Sequence, residues 1–338
     1  MKAWWAHRLQ WLRAITRPAR LQIAAALLLG LALLSPRWPL AQSHWNHVVY
    51  IDITQSMNTR DMSLGEVQGA GQPVSRLAFV QQALHEALLA LPCGSRLGLG
   101  LFTEYRVLLL TTPVEVCANY DDLLAIVQRI DGRMSWAGAS EVSKGVFWSI
   151  RTTRQLDGAP SLMFITDGHE APPLRPGSEP RFNEPLGQVQ GAILGVGGAA
   201  LSPIPKFDPE GHLLGVWEPD EVLQTDTFSA GRTIGGSRQS LVEADGSPVK
   251  AYQGSGTEHL SSLKEPHLLE LAAQVGLQYR HLATPGDLVE ALRDERLARS
   301  AVVARDLRFV PAAVALLLLV AAFAPRRRAG KGRVGAPA

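Results

Sequence analysis

The chain is short of cysteine and of catalytic signatures, and each shortage closes a class of function. Its 338 residues include only two cysteines, Cys93 and Cys117, so no paired CxxC metal knuckle can form. No HExxH, GxSxG or P-loop sequence occurs, and no general base stands beside a nucleophile. We therefore expect a protein that binds without turning over a substrate. An excess of charge of one sign is also missing: 33 Lys and Arg against 31 Asp and Glu leave a formal charge of +2. No basic stretch is interleaved with aromatics, which leaves no nucleic-acid interface. Internal repeats are absent. What is present is apolar content, 46% of residues, enough to build a core in one large domain or two smaller ones.

The charge that exists is gathered at the ends. Lys2, Arg8, Arg13, Arg17 and Arg20 occur with no acid among them, and Arg326, Arg327, Arg328, Lys331 and Arg333 crowd the last thirteen residues. Each basic end abuts an apolar run, LQIAAALLLGLALL at 21–34 and FVPAAVALLLLVAAFAP at 309–325. As a helix the second run is about 25 Å long, a little short of a hydrocarbon core of about 30 Å, with Arg308 and Arg326 placed to snorkel. A buried core helix is its alternative, favoured by the length and by Pro311 and opposed by the three arginines that follow. The first run reads either as an uncleaved anchor or as a secretory signal, although Pro39 interrupts any small-x-small cleavage site near Ala41. The positive-inside rule puts both termini in the cytoplasm of a bacterium and residues from about 42 to 305 in the periplasm, with the chain held in the inner membrane. The expected domains are a basic N-terminus (1–20), an N-terminal membrane anchor or signal (21–40), a periplasmic domain (46–300), a C-terminal transmembrane helix (307–325) and a basic tail (326–338).

Between the ends, short apolar runs alternate with helical patterns. HVVYI reads as a strand buried on both faces, and RLAFVQQALHEALLAL carries apolar residues at three-and-four spacing. RLGLGLFT and RVLLLTTPV read as antiparallel strands turning at Glu104 and Tyr105. Cys93 and Cys117 lie twelve residues either side of Tyr105, which brings them together at the open end of the hairpin. A disulfide in an oxidising compartment is the expectation, two buried thiols the alternative. Helices are expected at 121–130 and over EVSKGVFWSIRTTRQL, then strands at SLMFITDG and QGAILGVGG. This order indicates an α/β fold, a doubly wound, mostly parallel sheet with one antiparallel edge strand. From 199 to 263 the pattern breaks into an irregular insertion, with short strands around GHLLGVWE. EPHLLELAAQVG is then a helix, LQYRHLA the last strand, and PGDLVEALRDERLARSAVVA a helix running toward the membrane.

The chemistry is concentrated at three loops. In YIDITQSMN, Asp52, Thr54 and Ser56 follow a buried strand; Ser140 lies in GASEV before a helix; Asp167 ends the strand of FITDG. Open α/β sheets bind ligands at the carboxyl ends of their strands. Three hydroxyls and two carboxylates suit a hard divalent cation, Mg²⁺ or Mn²⁺ above Zn²⁺. The plainer alternative makes Asp52 and Asp167 mere caps of turns. Other signals are weaker. An aspartyl phosphatase would want a second Asp where Thr54 stands. Gly195-x-Gly197-x-x-Ala200 imitates a dinucleotide fingerprint, but SPIPKFDPEG cannot open a helix after it. His169 reads as an exposed loop residue, with contact to the site beside Asp167 as its alternative, and Met134 and Trp136 as a contact rim or as buried anchors.

Asp52-x-Thr54-x-Ser56, Ser140 in its Gly-Ala-Ser loop and Thr166-Asp167-Gly resemble the metal-ion-dependent adhesion site (MIDAS) of von Willebrand factor A (VWA) domains, over about residues 46–300. Thr54 stands where that family has Ser, and Ser140 where it has Thr. The resemblance implies that Thr54, Ser56 and Ser140 ligate the ion directly and that Asp52 and Asp167 act directly or through water. The sixth position then takes an acidic side chain from a partner. Longer stretches, among them DITQSMNTRDM, LPCGSRLGLGLFTEYR, TDGHEAPPL and GVGGAALSPIPKFDPEG, resemble the methanol-oxidation accessory proteins of the MxaL type, which are membrane-anchored VWA proteins. That resemblance implies partners in periplasmic methanol dehydrogenase and its other accessory proteins, and a part in inserting Ca²⁺ beside the pyrroloquinoline quinone. The compact hydroxyl-rich set suits Mg²⁺ better than Ca²⁺, so handling of Ca²⁺ itself is expected of other proteins. The alternative is a general membrane scaffold or chaperone working with a MoxR-type AAA+ ATPase, to which the basic tail offers a small docking surface.

Overall fold

The computed structural model describes residues 16–34, 37–65, 73–174, 177, 179–222 and 256–323. The chain divides into two compact units, Ser43–Arg299 and a unit drawn from both ends, Met1–Gln42 with Ser300–Ala338. In chain order the first elements are α1 (Arg17–Leu33), β1 (Arg37–His44), β2 (Asn46–Asp52), β3 (Arg60–Met62), β4 (Val74–Ser75), α2 (Arg76–Ala90), β5 (Arg96–Thr103) and β6 (Arg106–Glu115). There follow α3 (Tyr120–Arg129), α4 (Val142–Arg154), β7 (Ser161–Thr166), β8 (Gly191–Val196), β9 (Ser202–Pro203), β10 (Pro205–Phe207) and β11 (Leu213–Val216). The last are β12 (Leu260–Ser261), α5 (Glu265–Val275), β13 (Gln278–Leu282), α6 (Pro285–Leu292), β14 (Arg299–Asp306) and α7 (Phe309–Phe323).

The central unit is built on a six-stranded sheet of order β13-β8-β7-β2-β5-β6. Every neighbouring pair is parallel except β5 with β6, so the one antiparallel strand lies at an edge, as the alternation of runs foretells. Strand β2 is central and apolar on both faces because both faces are covered. Val49 and Ile51 join Phe79, Val80 and Leu84 of α2 in one core, and Val48 and Tyr50 join Val146 and Ile150 of α4 in the other. Helix α4 approaches closely only because residue 145 is glycine: a Cβ there would lie 2.1 Å from the ring of Phe102. That approach sets the position of the loop carrying Ser140.

The hairpin of β5 and β6 turns at Glu104, whose φ is +59°. The Cys93–Cys117 disulfide closes its open end, with the two Cα atoms 5.2 Å apart. The irregular insertion is ordered where it is described: β9 pairs with β12 and β10 with β11. Its stretch 223–255 lies outside the described residues.

The terminal unit contains the helices α1 and α7, which pack on each other, and the strands β1 and β14, which form a two-stranded sheet. Within the segment 21–40, α1 ends at Leu33 and β1 begins at Arg37. One expectation is corrected here. The helix expected over 285–304 stops at Leu292. The Asp294 carboxylate turns the chain there, accepting from Arg296 N at 3.0 Å and from Arg280 at 2.6 Å, and SAVVARD pairs with β1 as strand. Among the described residues no helix is long and apolar enough to cross a membrane. Helix α1 has 17 residues and α7 has 15, and the expected span 307–325 ends outside the described residues, as do the segments 1–15 and 326–338.

Candidate functional site

Asp52 is the last residue of β2, and Thr54 and Ser56 follow in a loop that closes into a 3₁₀ turn at Gln55–Asn58. Asp167 follows β7 directly, and Ser140 lies two residues before α4, ahead of its N-cap Glu141. Ser140 is fixed by backbone pairing on both sides: it bridges Glu104 beyond β5 and exchanges two 2.7 Å hydrogen bonds with Ala171 beyond β7. The five residues named from sequence therefore come from loops at the carboxyl ends of neighbouring strands, and all five are buried.

Sequence alone suggests that Asp52 sits at the rim of the sheet. Instead it is wholly buried at the end of a central strand, because three donors satisfy it there. Thr54 N and Thr54 Oγ1 donate to its Oδ1 at 2.9 and 2.7 Å, and Thr166 Oγ1 donates to Oδ2 at 2.6 Å. Burial, with the nearby charge of Asp167, raises its pKa to about 7. Burial pushes Asp167 up as well, but the guanidinium of Arg76 outweighs this and holds Asp167 below the usual carboxylate range.

The hydroxyl hydrogens are turned toward carboxylates: Thr54 donates to Asp52, and Ser56 hydrogen-bonds Asp167. Their lone pairs are left for something else. Thr54 Oγ1 and Ser56 Oγ are 3.4 Å apart. Among the described residues Ser140 Oγ is buried with no hydrogen-bond partner. A buried hydroxyl without a partner is costly, and here it lines the same cavity as the other two. That cavity, of about 350 Å³, is bounded by Thr54, Ser56, Ser140 and His169 and by Ile204 and Trp217 of the insertion. An oxygen-only donor set around an unpartnered hydroxyl is chemically fit to hold a small hard cation.

His169 is not an exposed loop residue; it lines the cavity, as its alternative reading had it. It is 3% exposed, its Nδ1 has no partner among the described residues, and burial lowers its pKa. Met134 and Trp136 are exposed, at 46% and 47%, so they are not buried anchors. Gly195-x-Gly197-x-x-Ala200 leads into β9 and not into a helix, which removes the dinucleotide reading.

Sequence reasoning missed Arg76 and Asp61. Arg76, the first residue of α2, has no exposed surface. Its Nε donates to Asp61 Oδ1 and Oδ2 at 3.0 and 3.2 Å, and its Nη2 to Asp61 Oδ2 at 2.6 Å. Its Nη1 donates to Ser261 Oγ at 2.7 Å and also to Asp167 Oδ2. The signal was present: Arg76, Val80, Ala83 and Ala87 follow helical spacing on one stripe, and all four are buried.

No protein-family profile matches the chain, and no curated protein does. Solved structures do. An aerotolerance-related membrane protein from Bacteroides fragilis NCTC 9343 is similar at 16% identity and a TM-score of 0.44, over 74% of this chain and 98% of that one. The protein BatB from Bacteroides thetaiotaomicron is similar at 15% and 0.43, over 73% and 94%. A von Willebrand factor type A protein from Catenulispora acidiphila is similar at 12% and 0.34, over 81% and 43%. At those identities and scores they decide nothing for this chain, and its class, an α/β domain on a mostly parallel sheet, rests on the strand order itself.

Proposed function

We propose that the chain is a membrane-associated VWA-type protein that acts by binding. Its loop cluster holds a divalent cation, Mg²⁺ above Mn²⁺ or Ca²⁺, and through it grips a carboxylate of a partner. The observation that carries this reading is the unpartnered, buried hydroxyl of Ser140 facing the cavity shared with Thr54 and Ser56. Thr54, Ser56 and Ser140 would hold the ion, with Asp52 as the charged member. The ion would supply a Lewis-acidic contact for an acidic side chain. Membrane association is supported by the apolar pair α1 and α7, whose Leu27, Leu33, Leu317 and Phe323 are exposed. The client favoured by the MxaL-type stretches is periplasmic methanol dehydrogenase, with this chain an accessory factor in its maturation.

The test is capture of partners from solubilised native membranes with tagged wild type and Ser140→Ala, each in Mg²⁺ and in chelator. Recovery of methanol dehydrogenase or its accessory proteins only by wild type in Mg²⁺ supports the reading. Equal recovery in all four samples refutes a role for the cation, and a MoxR-type ATPase as the main catch replaces the client.

A further inference from the structure

The hydrogen bonds around Asp167 leave it little freedom to touch an ion. A carboxylate offers about four lone-pair sites. Asp167 Oδ2 accepts from Arg76 Nη1 and, at 2.9 Å, from Ser261 Oγ; Oδ1 accepts from His169 N at 2.9 Å. The Ser56 hydroxyl takes a further site. Asp52 is bound by three donors and keeps one lone pair. The donors left for a doubly charged cation are three neutral hydroxyls and one carboxylate position.

Arg76 is held against Asp167 from behind. Asp61 grips the other edge of its guanidinium and also accepts from Gly198 N at 2.9 Å. Residue 197 has φ +126°, and a Cβ there would lie 2.6 Å from Arg76 Nε. The loop after β8 is thus shaped around the guanidinium, which cannot swing away without moving that loop and Ser261 together.

We propose that Arg76 is a positioning residue that keeps Asp167 from ligating the cation, so that the ion is held firmly only when a partner's carboxylate supplies the missing negative charge. This rests on the metal reading above. Cation and acidic partner then bind cooperatively, and each raises the affinity of the other by the same factor. The site makes its grip conditional on an acidic client, and does not store an ion in advance.

The test is calorimetric titration of the detergent-solubilised full chain with Mg²⁺ alone and with Mg²⁺ in acetate, alongside circular dichroism to confirm folding. Wild type should bind Mg²⁺ weakly and several-fold more tightly in acetate. Arg76→Met should bind Mg²⁺ alone at least about tenfold more tightly than wild type and lose the acetate effect, while Arg76→Lys stays near wild type. Should Arg76→Met not fold, Asp61→Asn decides: it removes one of the two carboxylates paired with the guanidinium and makes the site less negative, so Mg²⁺ binding should weaken several-fold. A folded Arg76→Met with unchanged or weaker Mg²⁺ affinity, or an Asp61→Asn that binds as tightly as wild type, overturns the proposal. Absence of Mg²⁺ binding in wild type and every variant, or an unchanged affinity in Ser140→Ala, overturns the metal reading itself.

Discussion

Ser140→Ala should do two opposite things, and their combination separates a ligand site from a relic. Among the described residues Ser140 Oγ is buried with no partner, and a buried unsatisfied hydroxyl costs about 1–3 kcal/mol. Replacing it with a methyl group removes that cost and leaves the backbone bonds of residue 140 intact, since they use only its N–H and C=O. Thermal unfolding of the full chain in detergent and chelator should therefore rise, by roughly 2–4 °C per kcal/mol for a domain of this size. Mg²⁺ at about 100 times its dissociation constant should stabilise wild type by about 2.7 kcal/mol and the variant hardly at all. A lower melting temperature for the variant in chelator would mean that the hydroxyl has a partner and that the premise is wrong. An equal Mg²⁺ shift in both proteins would remove Ser140 from the ligand set.

Other outcomes follow from the same geometry. Asp52 has a folded-state pKa raised to about 7 from an ordinary 3.8, so between those values the folded protein keeps a proton that the unfolded chain has lost. Cation-free stability should fall as pH rises through that window, and the gain from Mg²⁺ should grow as pH passes about 7; a flat Mg²⁺ gain from pH 5 to 8 would contradict this. Replacing Cys93 and Cys117 with Ser should lower stability by about 3 kcal/mol in denaturant titration, and unfolded, unreduced wild type should show no reactive thiol. Gly145→Ala should destabilise by about 1–3 kcal/mol through overpacking against Phe102; a neutral result would show that α4 can shift without cost.

The parts of the molecule legible in sequence are those governed by local pattern. Apolar runs such as VVYI and SLMFIT are strands because both faces are covered, and the turn at Glu104 with the flanking cysteines marks the antiparallel hairpin. Asp52, Thr54 and Ser56 are readable because one loop carries all three. Arg76 was not read, since a charged residue at the start of a helix is ordinarily solvated, and only long-range partners at Asp61, Asp167 and Ser261 make its burial tolerable. The burial of His169 likewise depends on the insertion, whose Ile204 and Trp217 wall the same cavity. At the C-terminal end, SAVVA is compatible with helix or strand by propensity, and pairing with β1 decides it.

The Asp61–Arg76–Asp167–Ser261 network also bears on how the protein is made. Four strands of the central sheet, β5 to β8, lie along the chain between its first member and its last, Ser261, which is in β12 just before α5. A chain emerging from its N-terminus has Asp52, Thr54 and Ser56 from the start but cannot close the Arg76 clamp until Ser261 has followed. Until then Arg76 and Asp167 lack the Ser261 hydroxyl that both contact. If the proposed cation site captures an acidic client, that capture is deferred to a nearly complete chain, and a truncated copy does not compete for the same partner.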